Sequence, residues 1–292
     1  MHWRQFQELQ KVAEVGDRFI SYVEAGEGPV VVLLHGAPTW GYLFHRLLPI
    51  LERRYRVLVP DLPGYGFSDR SDRFSRCAHR QAERLCAFLQ SIGVERASFI
   101  GHDLGAAIAL RLAVYHPERV ERLALVDAAA YDCWPPPFLH ELGHPSAFKR
   151  WTPAAISKRL AKSLAPGFVK PEPDLLAGLL APYSTEIGAL SLVRDCAALD
   201  CSETMELVPF LPTLQAPSLV LWGEQDVLQP LDAGRRLAWE SARSRLSVLP
   251  GAGHFSVLEQ PAEAAAPLTQ FLETPLQALL GRSPASPAAG PL

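Results

Sequence analysis

The sequence predicts an α/β protein with a mainly parallel central β-sheet flanked by helices. Short apolar runs alternate with longer stretches of helical periodicity up to residue 126, as in parallel sheets joined by helical crossovers. The first run, residues 30–34, is Val-Val-Val-Leu-Leu, the continuous apolar pattern of a strand buried on both faces. Hydrophobic residues make up 48% of the 292 residues, which is enough for a large core.

The predicted elements follow one another along the chain. The predicted strands are residues 30–34, 56–59, 97–100, 123–126, 218–222 and 245–249. The predicted helices of the sheet-forming part are residues 41–52, residues 76–90 and the run of helix formers that follows Gly105.

The alternation stops after Asp127 and resumes only at residue 218. The interval contains a Pro-Pro-Pro run at 135–137 and helix-like stretches at 153–164 and 186–199, but no clear strand. A helical insertion between sheet strands is best placed over the carboxyl edge of the sheet, where open α/β sheets bind ligands. We therefore predict a core domain from residues 1–129 and 213–282, a helical cap at 130–212 and a disordered tail at 283–292.

Composition and charge exclude several classes of function. The net charge is -3 without any long basic run, so no nucleic-acid partner is expected. No apolar run approaches the roughly 18 residues of a membrane span, and the first residues lack a signal core, so we predict a cytoplasmic protein. The five cysteines include no CxxC pair, so neither a metal site nor a cofactor is predicted. A monomer or a homodimer is expected.

The stretch most informative about function is residues 101–105, Gly-His-Asp-Leu-Gly. It lies between a predicted strand and a predicted helix, which is the setting of a nucleophile elbow, where a tight turn exposes one side chain above a sheet. The elbow usually carries serine, but the central residue here is Asp103. A carboxylate attacks carbon as an anion and needs no base to activate it.

Two further loops supply partners for Asp103. Asp226 follows the strand at 218–222, and His254 follows the last predicted strand. The order nucleophile, acid, histidine is that of a hydrolase catalytic triad. Asp127, at the end of another strand, is the alternative acid. The loop after the first strand can supply a backbone N–H to an oxyanion hole, so Ala37 and Leu104 are the expected donors.

Together these segments resemble the α/β-hydrolase fold superfamily from about residue 15 to residue 280. The resemblance rests on His-Gly-Ala-Pro at 35–38, Asp-Leu-Pro-Gly-Tyr-Gly-Phe-Ser-Asp at 61–69, the elbow, Asp226 and Gly-His-Phe at 253–255. Aspartate in the elbow is similar to the branch that contains epoxide hydrolases and haloalkane dehalogenases. That likeness implies that Asp103 forms an alkyl-enzyme ester, and that water activated by His254 then hydrolyses this ester.

The leaving group is less well defined. Haloalkane dehalogenases usually hold the halide with a Trp after the nucleophile and a second side-chain donor, but Leu104 and Ala37 have no side-chain donor. The loop that includes Trp40 otherwise resembles a dehalogenase loop, and Trp134 or Trp151 of the cap could supply an indole N–H. Fluoroacetate dehalogenases place arginines after the nucleophile, where this chain has apolar residues, so a haloacid substrate is disfavoured.

Epoxide hydrolases protonate the opening epoxide oxygen, usually with cap tyrosines. Tyr131 and Tyr183 are the tyrosines of the predicted cap, so epoxide hydrolysis ranks above dehalogenation. An ester or C–C hydrolase in which Asp103 acts as a general base, and a non-catalytic receptor for a small ligand, remain as alternatives. In each enzymatic case the expected partners are a small apolar electrophilic substrate and water.

Overall fold

The protein is described by a computed structural model that covers residues 1–280. Its strands are β1 (Lys11–Val15), β2 (Arg18–Ala25), β3 (Val30–Leu34), β4 (Arg56–Pro60), β5 (Ala97–His102), β6 (Val120–Val126), β7 (Ser218–Gly223) and β8 (Ser244–Leu249). They form one sheet in the order β1-β2-β4-β3-β5-β6-β7-β8. Strands β3 to β8 pair in parallel, which confirms the predicted fold class.

The sheet begins with an antiparallel hairpin that the sequence analysis did not predict. β1 and β2 are joined by a two-residue turn, Gly16-Asp17, between the paired residues Val15 and Arg18. Gly16 has φ +66°, a conformation that glycine adopts without steric cost. A Gly-Asp pair between two β-like runs is a hairpin signal, and this was the available clue.

Helices cover both faces of the sheet and fill the interval between β6 and β7. They are α1 (Trp3–Glu8), α2 (Leu48–Leu51), α3 (Ala78–Ser91), α4 (Leu104–Tyr115), α5 (Pro137–Gly143), α6 (Ala147–Arg150), α7 (Pro153–Leu164), α8 (Pro173–Leu180), α9 (Glu186–Ala197), α10 (Ser202–Met205), α11 (Leu231–Glu240), α12 (Ser256–Glu259), α13 (Pro261–Glu273) and α14 (Leu276–Leu280). The predicted helix at 41–52 was wrong. It is a 3₁₀ turn, Gly41–Phe44, followed by α2, because Pro49 has no N–H with which to continue a helix from upstream.

The interval 130–212, here called the inserted segment, contains α5 to α10 and no strand. The Trp40 indole N–H, on the sheet side, donates to the Gly178 carbonyl of α8 at 2.9 Å. The buried side chains of Arg76 and Asp195 form an ion pair between the loop before α3 and helix α9. The division into a core and a cap stays a prediction, and the predicted tail at 283–292 lies outside the described residues.

The helices within residues 1–280 differ from a typical membrane span. No single helix there is both long and apolar enough to cross a bilayer. Only the bent pair Pro173–Tyr183 and Glu186–Ala197, taken together, has the length and composition of a span.

The sheet places the three residues of the predicted triad along one edge. Because β3, β5, β7 and β8 are parallel, the loops that follow them leave the sheet at the same edge. Asp103, Asp226 and His254 lie in or just after these loops, so residues more than 120 positions apart in the chain come together.

Candidate active site

The turn between β5 and α4 holds Asp103 in a strained conformation. Its backbone has φ 49° and ψ −119°, which a non-glycine residue rarely adopts. The flanking glycines make the turn possible. A Cβ on Gly101 would lie 2.4 Å from the Gly105 carbonyl oxygen, and one on Gly105 would lie 2.2 Å from the Leu34 carbonyl oxygen. The turn can therefore pack directly on β3 and keep the Asp103 carboxylate at the sheet edge.

Two backbone N–H groups hold the Asp103 carboxylate. The Ala37 N–H donates to Asp103 Oδ1 at 2.9 Å, and the Leu104 N–H also hydrogen-bonds to the carboxylate. These are the two donors that the sequence predicted for an oxyanion hole. The Asp103 side chain is buried, with 3% of the residue exposed. Negative charge that develops on Oδ1 during a reaction would meet the Ala37 N–H without any rearrangement.

The second carboxylate oxygen has a partner that the sequence analysis missed. Gln229 Nε2 donates to Asp103 Oδ2 at 3.2 Å, and Gln229 is fully buried. The only sequence signal was a polar residue three positions after Asp226, in the loop that follows β7. The sequence does not distinguish a glutamine that contacts the site from an ordinary polar residue of the loop, because the difference lies in the direction of its side chain.

His254 and Asp226 are in direct contact. His254 Nδ1 lies 2.9 Å from Asp226 Oδ2, and both residues are buried. The other oxygen of Asp226 accepts the backbone N–H groups of Leu228 and Gln229 at 2.8 and 2.9 Å. Because Nδ1 carries the proton that faces Asp226, Nε2 of a neutral His254 is free to act as a base.

Asp127, the alternative acid, is bonded elsewhere. Its Oδ1 accepts the Gly223 N–H at 2.7 Å, and its Oδ2 accepts the Ser256 hydroxyl at 2.5 Å. Burial, together with the charge of Asp226, raises the pKa of Asp127 well above its usual range. The structure therefore pairs His254 with Asp226, and leaves Asp127 as a buried carboxyl that ties β6 to the end of β7 and the loop after β8.

The charges of the site influence one another. Burial raises the pKa of Asp103, although the positive charge of His254 and the three hydrogen bonds oppose that rise. Burial alone would lower the pKa of His254, but the charge and hydrogen bond of Asp226, followed by the charge of Asp103, raise it to about 9. The cationic form of His254 and the anionic form of Asp103 thus favour each other.

Two neighbouring histidines have structural positions. The His35 Nδ1–H donates to the Gly36 carbonyl at 3.0 Å and its Nε2 accepts the Leu62 N–H at 2.9 Å, while burial lowers its pKa to about 4. His102 Nε2 lies 2.8 Å from the His254 carbonyl oxygen, and burial lowers the pKa of His102 well below its usual value. Both rings are neutral and fasten the loops that carry the site.

The two tyrosines predicted as proton donors have hydroxyls that are bonded to groups other than Asp103. The Tyr131 hydroxyl donates to Glu240 Oε2 of α11 at 2.8 Å, and the Arg236 guanidinium lies 3.9 Å from the centre of its ring. The Tyr183 hydroxyl donates to the Thr39 carbonyl at 3.2 Å. Both hydroxyls thus have partners in this structure, and a role of either as proton donor to an epoxide oxygen stays a prediction.

The candidate tryptophans Trp40, Trp134 and Trp151 differ in what their indole rings contact. That of Trp40 is occupied by the Gly178 carbonyl. Trp151 lies beneath the Arg159 guanidinium, 4.2 Å from its ring centre, and lines a groove of about 300 Å³ in the inserted segment rather than the Asp103 site. Trp134 is buried, and its Nε1 has no hydrogen-bond partner among the described residues. It follows Cys133, whose Sγ lies 3.7 Å from Gln229 Oε1.

The known proteins that this chain resembles point to one family. The profile described as "Alpha/beta hydrolase family" matches residues 31–267. The chain is similar to 2-hydroxy-6-oxo-6-phenylhexa-2,4-dienoate hydrolase of Comamonas testosteroni, with 27% identity over 86% of this chain and 90% of that protein. It is 27% identical to haloalkane dehalogenase 2 of Mycobacterium tuberculosis, over 86% of this chain and 90% of that protein.

Epoxide hydrolase A of Mycobacterium tuberculosis is 30% identical, over 86% of this chain and 92% of that protein. Among solved structures, an alpha/beta hydrolase fold protein from Burkholderia ambifaria superimposes with a TM-score of 0.79 at 28% identity. That match covers 94% of this chain and 100% of the other.

Proposed function

The chain belongs to the alpha/beta hydrolase family, and on that premise we propose that it is a hydrolase whose nucleophile is Asp103. One observation supports this most directly. The Asp103 carboxylate has Oδ1 bonded to the Ala37 N–H, while the His254–Asp226 pair lies in the adjoining loops. A carboxylate held in this way can form a bond to carbon with one oxygen while the other stays with its backbone donors.

In the first half-reaction, a lone pair on Asp103 Oδ2 attacks an sp³ carbon of the substrate. The bond from that carbon to the leaving group breaks, and the leaving group departs with the bonding electrons. The product is an alkyl ester of Asp103, and its carbonyl oxygen is Oδ1. His254 is not needed as a base in this step, because the carboxylate is already an anion.

In the second half-reaction, His254 Nε2 takes a proton from water and the resulting hydroxide attacks Cγ of Asp103. The negative charge that forms on Oδ1 is held by the Ala37 and Leu104 N–H groups. Collapse of this intermediate expels an alkoxide, which takes the proton from His254 and leaves as the alcohol. Asp103 is then a carboxylic acid, and loss of its proton to solvent regenerates the carboxylate. Esterification removes the charge of Asp103, one of the charges that raise the pKa of His254, so the neutral base forms more readily at this stage.

Among leaving groups, a halide is favoured by Trp134. Its indole N–H is buried without a partner among residues 1–280, and Trp134 adjoins Cys133 at the Gln229 side chain. An indole N–H can stabilise a halide by hydrogen bonding but does not release its proton to an alkoxide. We therefore propose haloalkanes as the first substrate class to test.

Epoxides are the second candidate, which the sequence alone ranked first. The observation that supports them is the position of Tyr183, which lies on the Thr39 carbonyl in the same loop as Ala37. For epoxide opening, this hydroxyl would have to leave the Thr39 carbonyl and donate its proton to the epoxide oxygen.

The reactants that we propose are water and a small apolar electrophile. The buried surroundings of Asp103 support this choice, because a charged substrate would lose its hydration there. A cytoplasmic location and a monomeric or dimeric state are carried forward as proposals from the sequence.

A single turnover in ¹⁸O-labelled water tests the covalent mechanism. With enzyme in excess over 1-iodobutane or styrene oxide, the first product should contain unlabelled oxygen, because that oxygen comes from Asp103. Labelled oxygen should then be found in the Asp103 peptide by mass spectrometry. The Asp103→Asn variant is the control and should form no product. Labelled product in the first turnover would show direct attack by water.

A substrate panel distinguishes the remaining activities. Haloalkanes, styrene-type epoxides, haloacetates and p-nitrophenyl esters should be offered to the wild-type protein and to Asp103→Asn. Turnover of esters without any adduct on Asp103 would favour an esterase or C–C hydrolase in which Asp103 is a general base. Absence of turnover with every class would favour a non-catalytic receptor.

A further inference from the structure

The Gln229 amide is the only side chain of the described residues that is hydrogen-bonded to the Asp103 carboxylate. Its Nε2 lies 3.2 Å from Asp103 Oδ2, and the residue is fully buried. We propose that Gln229 is a catalytic residue of the first half-reaction, whose amide keeps Asp103 Oδ2 ionised and oriented for attack on the substrate carbon. This role rests on the proposed function, because it assumes that Asp103 is the nucleophile.

The two oxygens of Asp103 have different environments. Oδ1 accepts the Ala37 N–H at 2.9 Å, whereas Oδ2 accepts the Gln229 amide. A carboxylate with donors on one oxygen alone could rotate about its Cβ–Cγ bond. Donors on both oxygens define its plane, so Oδ2 is the oxygen that remains on the side away from the oxyanion hole.

Gln229 is itself rigidly placed. Its backbone N–H donates to Asp226 Oδ1 at 2.9 Å, and its carbonyl accepts the Trp222 indole N–H at 3.1 Å. The far end of its side chain, Oε1, faces Cys133 Sγ at 3.7 Å. One residue thus connects the nucleophile to the acid of the His254 pair. Because an amide does not titrate, its donor is present at every working pH.

The Gln229 amide lies on the wrong side of the reacting carbon to be the group that would hold a halide. In a displacement at sp³ carbon, the leaving group departs on the side opposite to the attacking oxygen. A donor 3.2 Å from Oδ2 lies on the attacking side. Gln229 therefore acts on the nucleophile, and the Trp134 indole N–H remains the candidate for the leaving group.

Titration of the Asp103 carboxyl in the substrate-free, full-length protein tests the donor. The carboxyl carbons of aspartate are labelled with ¹³C, and the Asp103 resonance is assigned by its loss in Asp103→Asn. In Gln229→Met, which keeps the side-chain length but not the donor, the titration midpoint should rise by about one to two pH units, as expected for loss of a hydrogen bond to a charged group. The matched control is Gln225→Met, an exposed glutamine of the same loop, which should leave the midpoint unchanged.

The rate of adduct formation on Asp103 tests the catalytic consequence. With 1-iodobutane and with styrene oxide, the acid limb of the single-turnover alkylation rate should move upward in Gln229→Met by the same amount as the midpoint. Hydrolysis of the adduct should change by less than about threefold, because the backbone bond from Gln229 to Asp226 is kept. An unshifted midpoint or an unshifted acid limb would overturn the proposal.

Two further results distinguish an incorrect role for Gln229 from misfolding of the variant and from an incorrect nucleophile. If Gln229→Met does not fold, Gln229→Glu places a second carboxylate beside Oδ2, and the Asp103 midpoint should then rise further because like charges oppose ionisation. If no variant, including the wild type, forms an adduct, the proposed nucleophile is wrong and the catalytic role of Gln229 falls with it. An adduct that forms with the same pH dependence in all variants overturns the role of Gln229 alone.

Discussion

His254 Nδ1 lies 2.9 Å from Asp226 Oδ2 in a part of the protein where both side chains are buried. The two residues follow β7 and β8, which are adjacent parallel strands, so their loops leave the sheet side by side. The contact fixes the proton on Nδ1 and leaves Nε2 available. In the proposed mechanism, His254 therefore acts in the step that needs a base, which is hydrolysis of the ester.

Replacement of His254 by glutamine should trap the ester. Attack by Asp103 needs no base, so alkylation should continue, whereas hydrolysis should slow by about two to four orders of magnitude. Mass spectrometry after incubation with 1-iodobutane or styrene oxide should show a stoichiometric increase on the Asp103 peptide. The double variant with Asp103→Asn is the control and should show no increase. An unmodified Asp103 peptide in His254→Gln would contradict the two-step assignment.

Asp226 and Asp127 should differ in their importance for the second half-reaction. Asp226→Asn removes the charge that faces His254, and we expect the second half-reaction to slow by about 10³- to 10⁴-fold. Asp127→Asn changes a carboxyl that is bonded to the Gly223 N–H and the Ser256 hydroxyl rather than to His254, so its effect should stay within about tenfold. Pre-steady-state measurement of adduct decay in each variant decides between them. A larger loss in Asp127→Asn would make Asp127 the functional acid.

The stability of the protein should fall as the pH rises through the pKa of His254. The folded-state pKa is about 9, above the ordinary value of 6.5. The resulting stabilisation is complete below pH 6.5 and is lost as the pH rises through about 9. The free energy of unfolding of the wild type should therefore fall more than that of His254→Gln between these values, by up to about 3 kcal/mol. Urea unfolding at pH 6 and pH 10 measures the difference, and parallel curves would contradict it.

The ion pair between Arg76 and Asp195 should anchor the inserted segment. Both side chains are buried, and Arg76 also donates to the Ser191 hydroxyl at 2.9 Å. Arg76→Met leaves the Asp195 charge buried without its partner, which should cost about 3–5 kcal/mol of unfolding free energy. The double variant Arg76→Met/Asp195→Leu should regain most of that loss in urea unfolding. Additive losses in the double variant would show that the two charges do not stabilise each other.

Local patterns in the sequence were sufficient for the fold class and for most strands. The strand at 30–34 and the strands around it can be recognised from their own residues, because a buried parallel strand is apolar throughout. The hairpin of β1 and β2 was missed, because both of its faces mix polar and apolar residues and its only clear signal is the turn at Gly16. The helix predicted at 41–52 failed at Pro49, where a backbone constraint outweighs the apolar spacing.

The sequence by itself determined that Asp103 sits in a tight turn between a strand and a helix, because Gly101 and Gly105 are the residues that this turn requires. It also determined that Asp226 and His254 follow parallel strands. Only the tertiary structure decided that Asp226 rather than Asp127 faces His254, that Gln229 contacts Asp103, and that the Tyr131 hydroxyl points to Glu240. The reason is physical: strand order brings loops to one edge, but side-chain directions within those loops depend on packing between segments far apart in the chain.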